Sequence, residues 1–338
     1  MPVTRNEIVT QPEAWAQALD EAAAHASTWR KHLTEVARVV FTGCGSTYYL
    51  SLAAAALFQS LTGREARGVP GSELALYPET VLTREPTALI AVSRSGATSE
   101  TLRAVEVFRA AARGPVLAIT TRANAPLVAQ ADDALVLTQG QERSVVQTRS
   151  FAAMYLAAVA LSVHLADWRE GLTAMARLPE LGRRIIERAE PWAAAQAHPE
   201  QITQVFFLGS GSYYGLAAEL SLKMKEMSLT PSEPFHTLEF RHGPMSLVTP
   251  QTMLVGLVDE RHARYTRALL DEMQRLGARV LRIAEDDAEF PLHAGVPDLV
   301  RGVLYLPPLQ LLAYEWAVAK GLDPDQPRHL QAVVRLSF

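Results

Sequence analysis

The residues best placed to do chemistry are Ser93-Arg94-Ser95-Gly96-Ala97-Thr98. The hydroxyls of Ser93, Ser95 and Thr98 surround a glycine, which lets backbone come close to a bound anion. A helical pattern opens directly after them, with Leu102, Val105 and Phe108 at helical spacing. The N–H groups of a helix's first turn have no partner within the helix, and the positive end of its dipole lies there too. Hydroxyls, N–H donors and a glycine together suit a phosphate. Taken alone, the same residues also fit an ordinary strand-to-helix turn with Ser/Thr caps.

Such a loop must be held by a strand on one side and a helix on the other. Leu89 to Val92 supply the strand, an apolar run bounded by turn residues. The pattern occurs earlier as well: residues 37–42 form a short apolar strand, Gly43-Cys44-Gly45-Ser46-Thr47 a Gly-rich turn, and an Ala/Leu-rich helix runs to about residue 62. A helix is expected over residues 12–33, a strand and loop over 66–78, and strands at Val116–Thr120 and Ala134–Leu137 with a helix near Pro126–Gln130. Alternating strands and helices predict a parallel sheet covered on both faces.

An internal repeat carries more weight. VVFTGCGSTYYL at 39–50 returns as VFFLGSGSYYGL at 205–216, a shift of 166 that keeps Gly43, Gly45, Ser46, Tyr48 and Leu50 as Gly209, Gly211, Ser212, Tyr214 and Leu216. TALIAVSRSGATSET from Thr87 corresponds to TMLVGLVDERHARYT from Thr252. The second strand survives, but its hydroxyl cradle has become Asp259-Glu260-Arg261-His262, which is no place for a phosphate. The chain therefore reads as two copies of one α/β domain with a complete cradle only in the first. The expected divisions are 1–178, 179–320 and a tail at 321–338, with a helical linker near Leu178–Ala197.

Composition narrows the function. The 338 residues carry a net charge of −4 with mixed signs, so no basic field points to nucleic acid. Cys44 is the one cysteine, which excludes an internal disulfide and fits a reducing compartment. The first fifteen residues hold no apolar leader, so a cytoplasmic protein is expected. Phe151 to Trp168 approaches the ~20 residues needed to span a bilayer, but Ser162, His164 and the lack of basic flanks argue for a buried core helix. The nine histidines and one cysteine show no metal-ligand spacing, and no organic cofactor is implied.

Six segments in order resemble the sugar isomerase (SIS) domain family: GCGST at 43–47, SRSGATSET at 93–101, ERSVVQTRSF at 142–151, ELSLKMKEMS at 219–228, EFRHGP at 239–244 and DPDQPRHL at 323–330. The likeness extends over nearly the whole chain and is greatest to the tandem isomerase half of the glutamine–fructose-6-phosphate amidotransferases. It implies two αβα sandwiches, each with a five-stranded parallel sheet, and a homodimer whose active sites draw on both subunits. No cysteine follows Met1 and the first isomerase motif begins near residue 40. The glutaminase half is therefore expected to be missing, as in stand-alone glucosamine-6-phosphate deaminases.

The resemblance places Ser46, Thr47, Ser93, Arg94, Ser95 and Thr98 at phosphate and sugar-hydroxyl positions, and Val145 and Gln147 among the substrate contacts. Arg94 stands where the synthases carry glutamine. It would add charge to phosphate binding, reach another anionic group, or point to solvent. Cys44 is expected to pack rather than react. Glu226 falls at the carboxylate that moves a proton between C1 and C2 of the open sugar; by spacing alone Glu219, Lys223 and Glu226 make a solvated face of ion pairs. His242 matches the residue that shuttles a proton during ring opening, supplied in the family by the neighbouring subunit. Glu239 would orient its loop. The family's Schiff-base lysine falls at Ala332, and Arg335 is no substitute because a guanidinium stays protonated.

The activity expected is deamination of glucosamine 6-phosphate to fructose 6-phosphate and ammonia, with a sugar phosphate as partner and no nucleic acid, membrane, metal or cofactor. A phosphosugar aldose–ketose isomerase or a fructosamine-phosphate deglycase would use the same residues. A non-catalytic sugar-phosphate-binding regulator would instead need a DNA-binding segment, and no basic helix-turn-helix region is present.

Overall fold

The computed structural model describes residues 1–331 and Leu336. Ala332 and Arg335, on which the tail expectations rest, lie outside the described residues.

Contacts divide the chain into two compact units, with the crossing at Pro179–Glu180. One unit contains residues 10–143 and 147–179; the other contains 180–330 together with the first nine residues and 144–146. Residues 1–9 and the short segment around Val145 thus group with the second half of the chain rather than the first. The helix Leu178–Gln196, expected as the linker, carries the crossing near its first turn.

In the first unit, β1 (Arg38–Gly43), β2 (Glu65–Pro70), β3 (Thr87–Ser93), β4 (Val116–Thr120) and β5 (Asp133–Val136) form one sheet in the order β2-β1-β3-β4-β5. All pairings are parallel, with Phe41 opposite Ile90 and Val92 opposite Ile119. Every residue of β1, β3 and β4 is buried, which is why these strands read as continuous apolar runs without alternation. The helix Arg149–Leu165 is buried from Ser150 to Val163. That accounts for the long apolar run as core, and no helix among the described residues is long and apolar enough to cross a membrane. The stretch after β2, expected as loop, forms a short helix, Gly71–Leu76, because Leu74 and Ala75 pack into the core with Val40, Leu89 and Val105.

The second unit repeats the plan. β6 (Gln204–Leu208), β7 (Ser232–Phe235), β8 (Thr252–Leu257), β9 (Arg279–Ala284) and β10 (Phe290–Pro291) are ordered β10-β9-β8-β6-β7, all parallel. Counting each unit's strands from its own first, both sheets run 2-1-3-4-5. The repeated sequence has become a repeated topology. In such a sheet the strand order reverses between strands 1 and 3, and ligands bind beyond the carboxyl ends of the strands at that point. The two motifs found by sequence, residues 43–47 and 93–98, are the loops leaving β1 and β3.

Candidate active site

The first loop turns from β1 into the helix Ser46–Thr62, and Gly45, at φ +57°, adopts the left-handed backbone that such a turn requires. The Thr47 hydroxyl accepts the Cys44 N–H at 2.9 Å and donates to the Cys44 carbonyl at 3.0 Å. Thr47 is 3% exposed, so its hydroxyl shapes the turn from within. Ser46, at the first position of the helix, is also buried. Cys44 Sγ lies 3.5 Å from the Thr101 hydroxyl, and burial raises the thiol pKa. A thiol held protonated in this way packs rather than attacks.

The second loop is stitched by its own hydroxyls. Ser93 Oγ accepts the Gly96 N–H at 3.1 Å and lies 3.1 Å from Thr98 Oγ1, while Ser95 Oγ accepts the Ala97 N–H at 3.2 Å. Gly96 sits at φ +60°, and a Cβ there would meet Ala125 Cβ at 2.4 Å, so both conformation and space demand glycine. Thr98 then precedes the helix Ser99–Ala110. Together the two loops make a polar cradle at the switch point, with two helix N-termini beside small residues. If phosphate binds here, Ser95→Ala combined with Thr98→Ala weakens sugar-phosphate binding by about tenfold, since each lost hydrogen bond costs about 0.5–1.5 kcal/mol. Titration calorimetry reads this directly, and unchanged affinity would mean that the cradle is misplaced.

Arg94 does not point to solvent. Its side chain is 10% exposed, and Nη1 lies 3.6 Å from Oε2 of Glu142, whose side chain is fully buried. Its carbonyl accepts the Thr121 hydroxyl at 2.9 Å, which ties the loop to the end of β4. Sequence inspection passed over Glu142, although it opens one of the family-like segments. Gln147, half-buried, lies in this unit with its Oε1 3.5 Å from Ser150 Oγ, whereas Val145 belongs to the short segment grouped with the other unit.

In the second unit the candidate base sits on the helix Ser212–Ser228. Spacings of four and three residues put Glu219, Lys223 and Glu226 on one face. Spacing alone also fitted a solvated face, but the structure buries it: Glu219 and Lys223 have no exposed side-chain surface, and Glu226 retains 17%. Lys223 Nζ lies 3.2 Å from Glu219 Oε1 and 2.5 Å from Glu226 Oε2. Burial works against the ammonium, but the two carboxylates outweigh it and raise the Lys223 pKa. The available signal was the apolar company of the three: Leu220, Met224 and Met227 are buried on the same helix. Glu226, the outermost member, lines a cavity of about 140 Å³ with Leu322, Asp323, Gln326 and Arg328 of the tail segment.

His242 is exposed, follows the short 3-10 turn Leu238–Arg241, and donates its backbone N–H to the Glu239 carbonyl at 3.0 Å. It does not line the Glu226 cavity. The turn is anchored by buried Phe240 and by Arg241, which pairs with Glu272 at 2.7 Å. His236 stacks on Tyr214 with ring centres 3.9 Å apart.

The loop leaving β8 is tied to a buried arginine. Arg301, fully buried, binds Glu260 at 2.9 Å, Glu285 at 2.8 Å and Asp298 at 2.7 Å. Of the two carboxylates that spoil the second copy as a phosphate cradle, Glu260 helps to hold an internal cation instead, and Asp259 accepts the His262 N–H at 2.7 Å.

Comparison with known proteins follows the same lines. The family model for the SIS domain matches residues 32–164 and 200–290. The glutamine–fructose-6-phosphate aminotransferase of Haemophilus influenzae is 30% identical over 317 residues, 88% of this chain and 52% of that protein, and the Methanothermobacter thermautotrophicus protein is 29% identical over 314 residues, 90% and 52%. The chain thus spans about half the length of these relatives. Among solved structures, the glucosamine-6-phosphate deaminase of Thermotoga maritima superposes with TM-score 0.78 at 27% identity, covering 95% of this chain and all of that one. The tagatose-6-phosphate ketose/aldose isomerase of Escherichia coli gives 0.79 at 26%, covering 95% and 94%. Since the match takes in both sheets and both switch-point loops of the first, the chain belongs to the SIS domain family.

Proposed function

We propose that this chain is a phosphosugar isomerase-type enzyme that deaminates an amino-sugar 6-phosphate, converting glucosamine 6-phosphate to fructose 6-phosphate and ammonia. The observation that carries the reading is Glu226, a carboxylate that emerges from a buried Glu–Lys–Glu set into a small cavity. Aldose–ketose chemistry needs one base that takes a proton from C2 and returns it to C1. Lys223, 2.5 Å away, fixes the orientation of the Glu226 carboxylate, as that role requires.

The loops of Ser46–Thr47 and Ser93–Thr98 hold the phosphate, with Gln147 and Val145 contacting the sugar. His242 moves a proton between O1 and O5 as the ring opens. Its exposure suits use by a second copy of the chain in a homodimer with shared sites. Glu226 removes the C2 proton of the open aldehyde, giving an enolamine. Protonation at C1 gives the imine of fructose 6-phosphate, and addition of water at C2 expels ammonia.

The likeness to the Thermotoga deaminase, which extends over the whole of that chain, supports ammonia release. The likeness to the Escherichia coli ketose/aldose isomerase favours a second reading, in which a sugar without the amine is isomerised and nothing is expelled. The purified protein given glucosamine 6-phosphate is expected to release ammonia and fructose 6-phosphate in equal amounts. Failure to release either, with thermal stabilisation by the same sugar phosphate, would reject the deaminase and leave the isomerase reading to be assayed with ketose phosphates.

A further inference from the structure

Glu142 has no part in the mechanism above, yet its surroundings are specific. Oε1 accepts the Thr148 N–H at 2.7 Å and the Thr148 hydroxyl at 2.9 Å; Oε2 accepts the Ser150 hydroxyl and faces Arg94 Nη1 at 3.6 Å. The carboxylate is fully buried, and the arginine opposite it stands between two cradle serines. A buried carboxylate held by three donors is fixed in place, and its charge is not screened by water.

We propose that Glu142 is a specificity-determining residue of the cradle: it cancels the charge of Arg94, so that the site selects a sugar phosphate by fit and hydrogen bonding rather than by attraction for any anion. The proposal rests on the reading of residues 93–98 as a phosphate cradle. An arginine with its full charge beside small hydroxyl residues would bind inorganic phosphate avidly and hold the phosphorylated product against release. With Glu142 in place, the pair adds no net charge to the cradle. A residue that served only to hold the loop would weaken anion binding when changed, whereas one that masks a cation strengthens it; the two roles therefore differ in sign.

Calorimetry with inorganic phosphate on the full chain separates them. Glu142→Gln keeps an acceptor for Thr148, and its amide can donate to Ser150, so the loop retains its bonds. This variant should bind phosphate about fivefold or more tightly, with a steeper loss on adding salt. Combining it with Arg94→Gln should remove both gains. A folded Glu142→Gln protein that binds phosphate equally or more weakly overturns the proposal, even though the cradle reading survives if Ser95→Ala with Thr98→Ala still weakens binding. Indifference to those two alanines would reject the cradle, and the proposal with it. If Glu142→Gln does not fold, the unaltered protein decides: affinity should fall by only about twofold between about 0.05 and about 0.2 M salt, and a loss of about tenfold would mean that Arg94 acts as an open cation.

Discussion

Glutamine in place of Glu226 is expected to lower turnover of glucosamine 6-phosphate by about a thousandfold, within the range that loss of a general base costs. Affinity for the sugar phosphate should stay within about threefold, because binding is assigned to the other sheet's loops and not to this helix. The substitution is close to isosteric. The amide oxygen can still accept from Lys223, which keeps Glu219 as its second partner, so the helix loses one charge and little packing. Steady-state kinetics beside a binding isotherm distinguish the outcomes. A fall in kcat with KM nearly unchanged supports the base, whereas retained turnover removes Glu226 from the chemistry. Equal losses in both would mean that Glu226 contacts the sugar without moving its proton.

The sequence made the fold legible because two periodicities coincided. Leu89 to Val92 and Val39 to Phe41 are short apolar runs with no alternation, which occurs when a strand is covered on both faces, and both lie in fully buried β3 and β1. The shift of 166 residues then tied the halves together, and the common 2-1-3-4-5 strand order is its physical counterpart. Segments that join a unit by docking were not legible. The first nine residues group with the second half through bonds such as Thr4 N–H to Asp325 at 2.7 Å, across more than three hundred residues of sequence. Local pattern holds no trace of such a contact.

The candidate site divides in the same way. Gly96, Ser93 and Ser95 were legible because loop chemistry is local: a positive φ and hydroxyls that bond N–H groups two or three residues on leave a compositional mark. Arg94 was not, since its partner lies forty-eight residues away at Glu142 and only the fold brings them together. Thr47 carried the right residue type, but its hydroxyl serves its own turn. For the helix of Glu226, spacing alone left a solvated face as open as a buried one, because it reports which residues share a face, not which face meets water.

Methionine in place of Lys223 is expected to destabilise its unit by about 3–5 kcal/mol, the cost of removing one partner from a buried ionic group. The ammonium is shared by two carboxylates and, like Glu219, has no exposed surface, so no water can take its place. Methionine fills a similar volume, which leaves the missing charge as the cause rather than a cavity. Glu219 would be left as an uncompensated charge with no exposed surface, next to a second carboxylate at Glu226, and the cheapest relief is for Glu219 to take up a proton. The loss should therefore be smaller at pH 5 than at pH 8. Adding Glu219→Gln removes the more deeply buried carboxylate and should restore part of the stability, so that the two substitutions together cost less than their sum. Urea unfolding of the single and double variants checks this. A single variant within about 1 kcal/mol of the parent, or a double variant no better than the single, would show that Lys223 is not the counter-charge that holds Glu226 ready as a base.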